Sequence, residues 1–319
     1  MFKDKKTLSI KATQTRDFYI LVTPFIIFFT ISILIPLIWS LYISTTNFSG
    51  FNLTNLKNVG IKNFERVFSD NDSIYSLLNT FKISLFSLPL VVSVGLLLAL
   101  LLNNKVKYLG TFRTIFYYPA VIPIIAVGLI WFNLYSKSNG VFNDIIVRLG
   151  MDAFEFRKGG TAVVSLLVVL LWGSGASLLI FLSALKNVPI ELYESADIEG
   201  ANTMQKFWRI TFPIISPTIY FQIITSFIYN LQLHVQPVMI FAETGQSVGG
   251  TGTLVSVPTR SVYTTVTHIY QQVFVYSRYG YGVAIVWITF IAILILTQII
   301  MRTSRLWVFY EVDQDQRVR

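Results

Sequence analysis

Residues 83 to 102 read Ile83-Ser-Leu-Phe-Ser-Leu-Pro-Leu-Val-Val-Ser-Val-Gly-Leu-Leu-Leu-Ala-Leu-Leu-Leu102. These twenty residues include no charged side chain. A helix rises about 1.5 Å per residue, so about twenty residues cover the roughly 30 Å hydrocarbon core of a bilayer. The stretch therefore predicts a transmembrane helix.

Five further blocks of the same kind lie on either side of this one, and none contains Asp, Glu, Lys or Arg. They are Phe18–Ile43, Thr114–Tyr135, Thr161–Leu185, Ile210–Ala242 and Tyr279–Met301. The whole chain of 319 residues is 54% hydrophobic and 13% charged, whereas soluble domains carry about 25% charged residues. The pattern predicts an all-α, polytopic membrane helical bundle with six transmembrane helices.

Two features of these blocks predict irregular helices. The fifth block is too long for one straight span, so we expect part of it to tilt or to lie at an interface. Five prolines inside four of the blocks should kink or locally open the helix. These prolines are Pro36, Pro89, Pro119, Pro123 and Pro217.

The distribution of lysine and arginine predicts the orientation. With the N-terminus inside, fifteen of these residues fall on inner segments and nine on the longer outer loops. Cytoplasmic loops carry the excess of positive charge, so we expect both termini in the cytoplasm. The basic start resembles a signal peptide, but the apolar stretch from Phe18 is too long and no cleavage site follows. We therefore expect a cytoplasmic tail over 1–17, a retained transmembrane helix over 18–43 and a second tail over 303–319.

The composition also limits the chemistry. The net charge of +9 suits the anionic surface of a membrane, given the apolar blocks, better than it suits nucleic acid. The sequence has no cysteine and only two histidines, His234 and His268. We therefore expect no disulfide and no metal site in this chain.

The inner loop between the fourth and fifth blocks has the pattern of two short helices. Asn187 is a plausible N-cap and Pro189 suits the first turn of a helix. Glu191, Glu194 and Asp197 then recur every three residues and share one stripe.

Gly200 can end the first of these helices. A second short helix is expected from Asn202 towards Pro213, with Met204, Phe207, Trp208 and Ile210 on an apolar side. Such a helix–turn–helix suits docking onto a cytoplasmic partner. The alternative is an amphipathic loop that packs only on helices of its own chain.

The same loop resembles the EAA loop of binding-protein-dependent ABC importer permeases. The family pattern is Glu-Ala-Ala, two residues, Asp-Gly-Ala and, further on, Ile-x-Leu-Pro. The corresponding segments here are Glu194-Ser195-Ala196, Glu199-Gly200-Ala201 and Ile210-Thr211-Phe212-Pro213. Ser195, Glu199 and Phe212 depart from the pattern but keep size class or charge. A second segment, Phe112-Arg-Thr-Ile-Phe-Tyr-Tyr-Pro-Ala-Val-Ile-Pro123, is similar to the start of the third span in the sugar-type, MalF/UgpA-like branch.

The resemblance implies a transmembrane transport domain over residues 70–302, with the coupling loop at 187–213. That loop would be seated in a cleft of a separate ATPase subunit. The residues that would couple it to the ATPase are Glu191, Glu194, Ala196, Gly200, Ala201 and Pro213.

The partners implied are a second permease subunit, expected to be a different chain, two cytoplasmic ATP-binding subunits and an external solute-binding protein. The chain has no Gly-x-x-x-x-Gly-Lys-Ser/Thr, and its glycine-rich stretch at residues 249–252 lacks the lysine. We therefore expect no cofactor on this chain, with ATP and Mg on the partner subunits, and no enzymatic activity of its own. The implied location is a bacterial or archaeal cytoplasmic membrane.

Polar residues inside the spans are candidates for the substrate path. The fifth block offers Tyr229, Asn230, Gln232, His234 and Gln236. Amides and aromatic rings suit sugar hydroxyls and C–H faces. The alternative is that the amides hold helices together.

Two other classes of function compete with the importer. An ion-coupled secondary carrier would need ionisable residues within the spans, and the six blocks contain no carboxylate or lysine. A membrane-embedded enzyme would need clustered carboxylates or histidines near the interface. Our prediction is therefore an importer permease for a sugar or oligosaccharide.

Overall fold

The computed structural model describes residues 10–50, 56–103, 107–242 and 257–309, with side chains from residue 14. Both expected tails, 1–17 and 303–319, lie partly outside the described residues, and the glycine-rich stretch at 249–252 lies wholly outside them. The helices, in chain order, are α1 (Ile10–Phe29), α2 (Ile35–Ser44), α3 (Lys62–Ser69), α4 (Asn71–Asn103), α5 (Leu109–Val121), α6 (Ile124–Leu134), α7 (Val141–Arg148), α8 (Gly159–Trp172), α9 (Gly175–Lys186), α10 (Ile190–Ile198), α11 (Thr203–Lys206), α12 (Phe212–Leu231), α13 (Val235–Phe241), α14 (Thr265–Tyr270) and α15 (Tyr279–Trp307).

Four continuous helices within the described residues are long and apolar enough to cross a membrane. They are Gln14–Ser44, Asn71–Asn103, Thr203–Leu231 and Tyr279–Trp307. The pairs α5–α6 and α8–α9 bring the number to six when each bent pair is counted as one span. The prediction of an all-α polytopic bundle is therefore confirmed. The orientation of the termini stays a prediction.

The third span is not the single helix over Thr114–Tyr135 that the sequence predicts. Helices α5 and α6 meet at 97°. The break lies at Ile122, whose ψ is 132°, and Pro123 follows it directly. A residue before proline is pushed out of the helical region, and proline has no N–H with which to continue the helix.

The fourth span also bends, by 46° between α8 and α9. The bend lies at Gly173 and Ser174, between Trp172 and Gly175. A Cβ atom on Gly175 would lie 1.8 Å from the carbonyl oxygen of Phe116 in α5. Glycine at this position therefore lets the backbones of α5 and α9 touch.

The fifth span begins earlier and ends earlier than its apolar block. Helix α11, a π-helical turn at Phe207–Thr211 and α12 form one helix from Thr203 to Leu231. Residues Gln232 to His234 then interrupt it before α13. The expected separate short helix ending near Pro213 is wrong, because the helix continues through Pro213 into α12.

Three apolar clusters form the core of the described residues, and the smallest of them joins α3 to α15 through Val67, Ala284 and Ile285. The two larger clusters lie at different levels of the bundle. One contains Leu102 of α4, Phe181 and Leu185 of α9 and Ile215 of α12, and lies towards the 187–213 end. The other contains Ile83, Trp131, Leu166 and Phe241 and lies towards the opposite end. Helix α4 runs through both clusters, so it fixes the positions of the fourth and fifth spans relative to each other.

The first span lies at the edge of the bundle. Helix α2 packs on α15, where Trp287 Nε1 donates a 3.2 Å hydrogen bond to Ser40 Oγ. Most of its apolar side chains are exposed, including Leu21 at 78%. Such exposure suits a helix surrounded by lipid, which solvates leucine as well as a protein interior does.

Candidate functional site

The loop at residues 187–213 starts differently from the sequence prediction. Asn187 is not an N-cap but the C-cap of α9. Pro189, with ψ 131°, precedes the first residue of α10. The buried Val188 joins the apolar cluster of α4, α9 and α12. The chain is therefore anchored in the core immediately before α10 begins.

Gly200 ends α10 as expected. Its φ of +75° lies in the left-handed region, which glycine adopts without a steric penalty. The N–H of Gly200 bonds to the Asp197 carbonyl at 3.1 Å, and the N–H of Ala201 bonds to the Ala196 carbonyl at 2.9 Å. These two bonds form a Schellman motif, which turns the chain sharply.

A capping box starts the next helix directly after this turn. Asn202 Oδ1 accepts a hydrogen bond from the Gln205 N–H at 2.9 Å, and Gln205 Oε1 accepts one from the Asn202 N–H at 2.8 Å. Asp197 forms a salt bridge with Lys206, and Tyr193 Oη lies 2.7 Å from Thr211 Oγ1. These contacts fix α10 against the start of the fifth span.

The outward face of this loop is both apolar and acidic. Glu191 and Glu194 are exposed, while Ala196, Ala201 and Pro213 are half-buried. Large apolar side chains are exposed beside them, namely Ile190, Leu192, Ile198, Met204 and Trp208, with Ile198 at 90%. An amphipathic loop that packed only on its own chain would bury these side chains. The geometry therefore favours a docking surface.

Two cavities lie about the middle of the bundle. Cavity A has a volume of about 240 Å³ and includes Pro119, Trp172, Gly173, Tyr229 and Gln236 in its lining. Cavity B, of about 340 Å³, includes Gly173, Ser177, Gln222, Thr225, Tyr229 and Asn230. Tyr229 and Gly173 line both. Each cavity therefore opens beside the break in the fourth span and the last turns of the fifth.

The structure brings together three of the five residues expected in the substrate path. Gln236 Nε2 donates a 2.8 Å hydrogen bond to Tyr229 Oη. Asn230 is 3% exposed, lines cavity B, and its Nδ2 has no hydrogen-bond partner. These groups can meet a hydroxyl-bearing solute at the walls of the cavities.

Gln232 and His234 line neither cavity. Gln232 is exposed and follows the end of α12. His234 is buried, its ring stacks on Tyr270 at 4.1 Å between centroids, and its Nδ1 lies 3.3 Å from Thr267 Oγ1. His234 therefore holds the segment after α12 against α14. Neither residue belongs to the cavity-lining face of α12, because that helix ends at Leu231.

Sequence reasoning missed Trp172, Ser177, Gln222 and Thr225. Gln222, Thr225 and Tyr229 are separated by three and four residues and lie on one face of α12. That helical spacing of polar residues was the available signal. Trp172 carried no such signal, because only the bend after it exposes its ring to cavity A.

The cavities are electrically neutral. The side chains that line them within the described residues are apolar, aromatic, amide or hydroxyl, and none is charged. A charged solute would lose its hydration here without gaining an opposite charge from this chain.

A multi-span helical bundle with a polar internal cavity and a docking loop at one end is the architecture of a membrane transport subunit. The chain belongs to the family described as the binding-protein-dependent transport system inner membrane component, whose model matches residues 91–306. The predicted family is thereby confirmed, as is a multi-pass protein of the cell membrane. The comparisons give the ion-coupled carrier no support.

The chain is similar along most of its length to several transport permease proteins. The chain is 32% identical to the probable ABC transporter permease protein YesP of Bacillus subtilis, over 98% of this chain and 97% of that protein. It is 33% identical to the arabinooligosaccharides transport system permease protein AraP of Halalkalibacterium halodurans, over 84% of this chain and 81% of that protein. It is 27% identical to the trehalose/maltose transport system permease protein MalF of Thermococcus litoralis, over 94% of this chain and 97% of that protein.

A solved structure shares the fold. The match is to a bacterial alginate ABC transporter in complex with an alginate pentasaccharide-bound periplasmic protein. The TM-score is 0.77, the identity is 23%, and the match covers 92% of this chain and 95% of that one.

Proposed function

We propose that this chain carries an uncharged saccharide across the membrane and takes its driving force from separate ATPase subunits at residues 187–213. It acts without catalytic residues of its own, and ATP and Mg bind to those partners. The 187–213 end faces the cytoplasm, as do both termini. The chain works with a second, different permease subunit, two ATP-binding subunits and an external solute-binding protein.

The observation that carries this proposal is the continuity of the fifth span. One helix runs from Thr203, beside the docking loop, to Leu231 at the cavities. Its cavity end presents Gln222, Thr225 and Tyr229. Because one continuous helix joins the two ends, a displacement of α10 by a partner is passed along that helix to the cavity wall.

The contacts within the loop support this transmission. The Lys206–Asp197 salt bridge, the Tyr193–Thr211 hydrogen bond and the Gly200 turn attach α10 firmly to the fifth span. The exposed Ile198 and Trp208 offer apolar area to an ATPase, and Glu191 and Glu194 offer charge. Most of the binding energy of an interface comes from such buried apolar anchors.

The chemistry of the cavities supports a saccharide. Amide and hydroxyl groups can exchange hydrogen bonds with sugar hydroxyls, and the rings of Trp172 and Tyr229 can stack on sugar C–H faces. The arabinooligosaccharide and trehalose/maltose relatives agree with this class. The neutral lining favours an uncharged sugar over an acidic one.

Reconstitution tests the proposal. The chain should be purified with its neighbouring subunits, placed in proteoliposomes, and supplied with the binding protein loaded with neutral or acidic oligosaccharides. Uptake of a neutral oligosaccharide that requires ATP on the cytoplasmic side supports the proposal. Uptake that proceeds without ATP in an ion gradient, or that requires an acidic sugar, overturns it.

A further inference from the structure

A chain of hydrogen bonds lies at the end of the bundle opposite residues 187–213. Tyr281 Oη donates to Asp70 Oδ2 at 2.7 Å and lies 2.7 Å from Ser73 Oγ, which lies 3.0 Å from His268 Nε2. The Asp70 side chain is 25% exposed, whereas Ser73, Tyr281 and His268 are buried. This series of hydrogen bonds therefore leads from a solvent-accessible carboxylate to a buried imidazole.

The other ring nitrogen of His268 continues the network. His268 Nδ1 lies 2.8 Å from Tyr263 Oη, which donates to Gln271 Oε1 at 2.6 Å. The amide Nε2 of Gln271 is buried and has no hydrogen-bond partner. The imidazole thus lies between two hydroxyl groups, each of which already contacts a further polar group.

The number of hydrogen atoms available for the hydrogen bonds of this network depends on the charge of His268. The network has five short contacts, and each needs one hydrogen. Its three hydroxyls supply three hydrogens, a neutral imidazole supplies a fourth, and only the imidazolium supplies a fifth. Turning the Gln271 amide over would supply the fifth hydrogen from Nε2 instead. With the amide turned over, a neutral His268 completes all five contacts, so the packed network does not require the imidazolium, and the protonation of His268 is coupled to the orientation of Gln271.

We propose that His268 is a proton-binding site that controls how tightly residues 263–272, which include α14, pack against α4 and α15. Asp70, Tyr281 and Ser73 form the route by which the proton reaches the imidazole from solvent. The proposed function places this end of the bundle on the external side of the membrane. The inference rests on the proposed function for that orientation. The packing then responds to the external pH.

The charges around His268 set the direction of the response. Burial lowers the pKa of His268, Asp70 and Asp72 partly raise it, and Arg260 lowers it. Burial would raise the pKa of Asp70, but the hydrogen bonds from Tyr281 and the Asp72 N–H outweigh this and keep it below its usual value, so the carboxylate stays charged. Tyr263 and Tyr281 are the titratable hydroxyls nearby, and Arg66 lies 4.6 Å from the centre of the Tyr281 ring.

The direction of the pH effect follows from the linkage between proton binding at His268 and packing of the segment. A histidine whose pKa is lowered by packing binds a proton more readily once the segment separates. The packed arrangement is therefore at full strength above the ordinary histidine pKa of 6.5 and weakens as the pH falls below it. The opening constant rises about tenfold for each pH unit by which the packed pKa lies below the unpacked one.

Amide hydrogen exchange in the assembled transporter tests this. Exchange of peptides within 263–272 should be measured in nanodiscs from about pH 8 to about pH 5, the range in which histidine titrates, and corrected for the intrinsic pH dependence of exchange. Protection should fall on acidification in the wild type and stay constant in His268→Gln. His234→Gln removes the other histidine packed on this segment, through Thr267 and Tyr270, so it should lower protection at every pH but keep the fall on acidification. A fall of equal size in His268→Gln overturns the proposal.

A second measurement does not depend on the packing of that variant. Exchange of the imidazole C2 hydrogen, followed by mass spectrometry, gives the pKa of His268 in the assembled wild-type complex. Asp70→Asn should lower this pKa, because it removes a nearby negative charge. An unchanged pKa overturns the proposal. ATP-driven uptake at about pH 8, where the histidine is neutral, tests the proposed function separately. Normal uptake without any pH-dependent packing refutes the proton site alone.

Discussion

Gln236 Nε2 donates a 2.8 Å hydrogen bond to Tyr229 Oη. This bond joins α13 to the last turn of α12 across the interruption at residues 232–234, at the edge of cavity A. The phenol is half-exposed and the amide is buried. The bond therefore fixes the one tyrosine that faces both cavities.

Replacing Tyr229 with phenylalanine should lower the maximal rate of uptake about fivefold. The change removes one hydrogen bond, worth about 1 kcal/mol, and leaves a buried amide without an acceptor. Initial uptake rates in proteoliposomes, measured against the concentration of loaded binding protein, give this value. Gln232→Met is the matched control, since Gln232 is polar, close in sequence and lines neither cavity. Equal effects in the two variants would contradict the assigned path.

Replacing Asn230 with leucine should leave the stability unchanged or raise it, while weakening transport. Asn230 Nδ2 is buried without a hydrogen-bond partner, so an apolar side chain of similar size removes a desolvation cost. Residues kept for a ligand at the expense of stability show this behaviour. Thermal unfolding in detergent and uptake rates should be compared. A clear loss of stability with normal uptake would mean that Asn230 holds the helices together.

Replacing Gly200 with tryptophan should abolish transport while the chain still inserts in the membrane. The backbone at Gly200 has φ +75°, and a large side chain there would project from the docking surface. Co-purification of the ATPase subunits and ATP-dependent uptake measure the effect.

Gly150→Trp provides the control for Gly200→Trp. Its φ is +80°, and no atom lies within 4 Å of the position of a Cβ, as at Gly200. Gly150 follows α7 and lies away from the docking loop. The Gly150→Trp variant therefore has the same backbone strain as Gly200→Trp but leaves the proposed ATPase contact unchanged. Loss of ATPase binding in both variants would show that strain, rather than docking, is responsible.

Replacing Gly175 with alanine should destabilise the bundle by about 1–3 kcal/mol, the usual cost of overpacking. The new Cβ would lie 1.8 Å from the Phe116 carbonyl oxygen. Gly173→Ala is the control, because its nearest contact would be 3.6 Å away. The midpoints of thermal unfolding should differ between the two variants. Similar midpoints would show that α5 moves away from α9 at little cost.

Sequence reasoning located the docking loop closely because its signals are local. A glycine at Gly200 and a capping residue at Asn202 act on neighbouring backbone groups, so their effect can be read from short stretches. Asn187 was misassigned because Lys186 and Asn187 continue the preceding helix, and Val188 is held by contacts with distant residues.

The helix breaks were only partly predictable. Pro123 predicted a kink, but the 97° angle between α5 and α6 depends on how both helices pack on the rest of the bundle. Pro89 and Pro217 lie within helices that continue through them. Neighbouring groups decide whether a proline bends a membrane helix or breaks it, and sequence does not show those neighbours.

The sequence by itself determined the class of the protein. Apolar blocks such as 83–102 have one stable environment, because only helices satisfy their own backbone in lipid, and residues 189–213 carried the family. Only the tertiary structure decided which polar residues share a cavity. It joined Tyr229 to Gln236, excluded Gln232, and placed His268 beside Ser73. These contacts join residues far apart in the chain or across a helix break, and such pairings depend on packing rather than on local spacing.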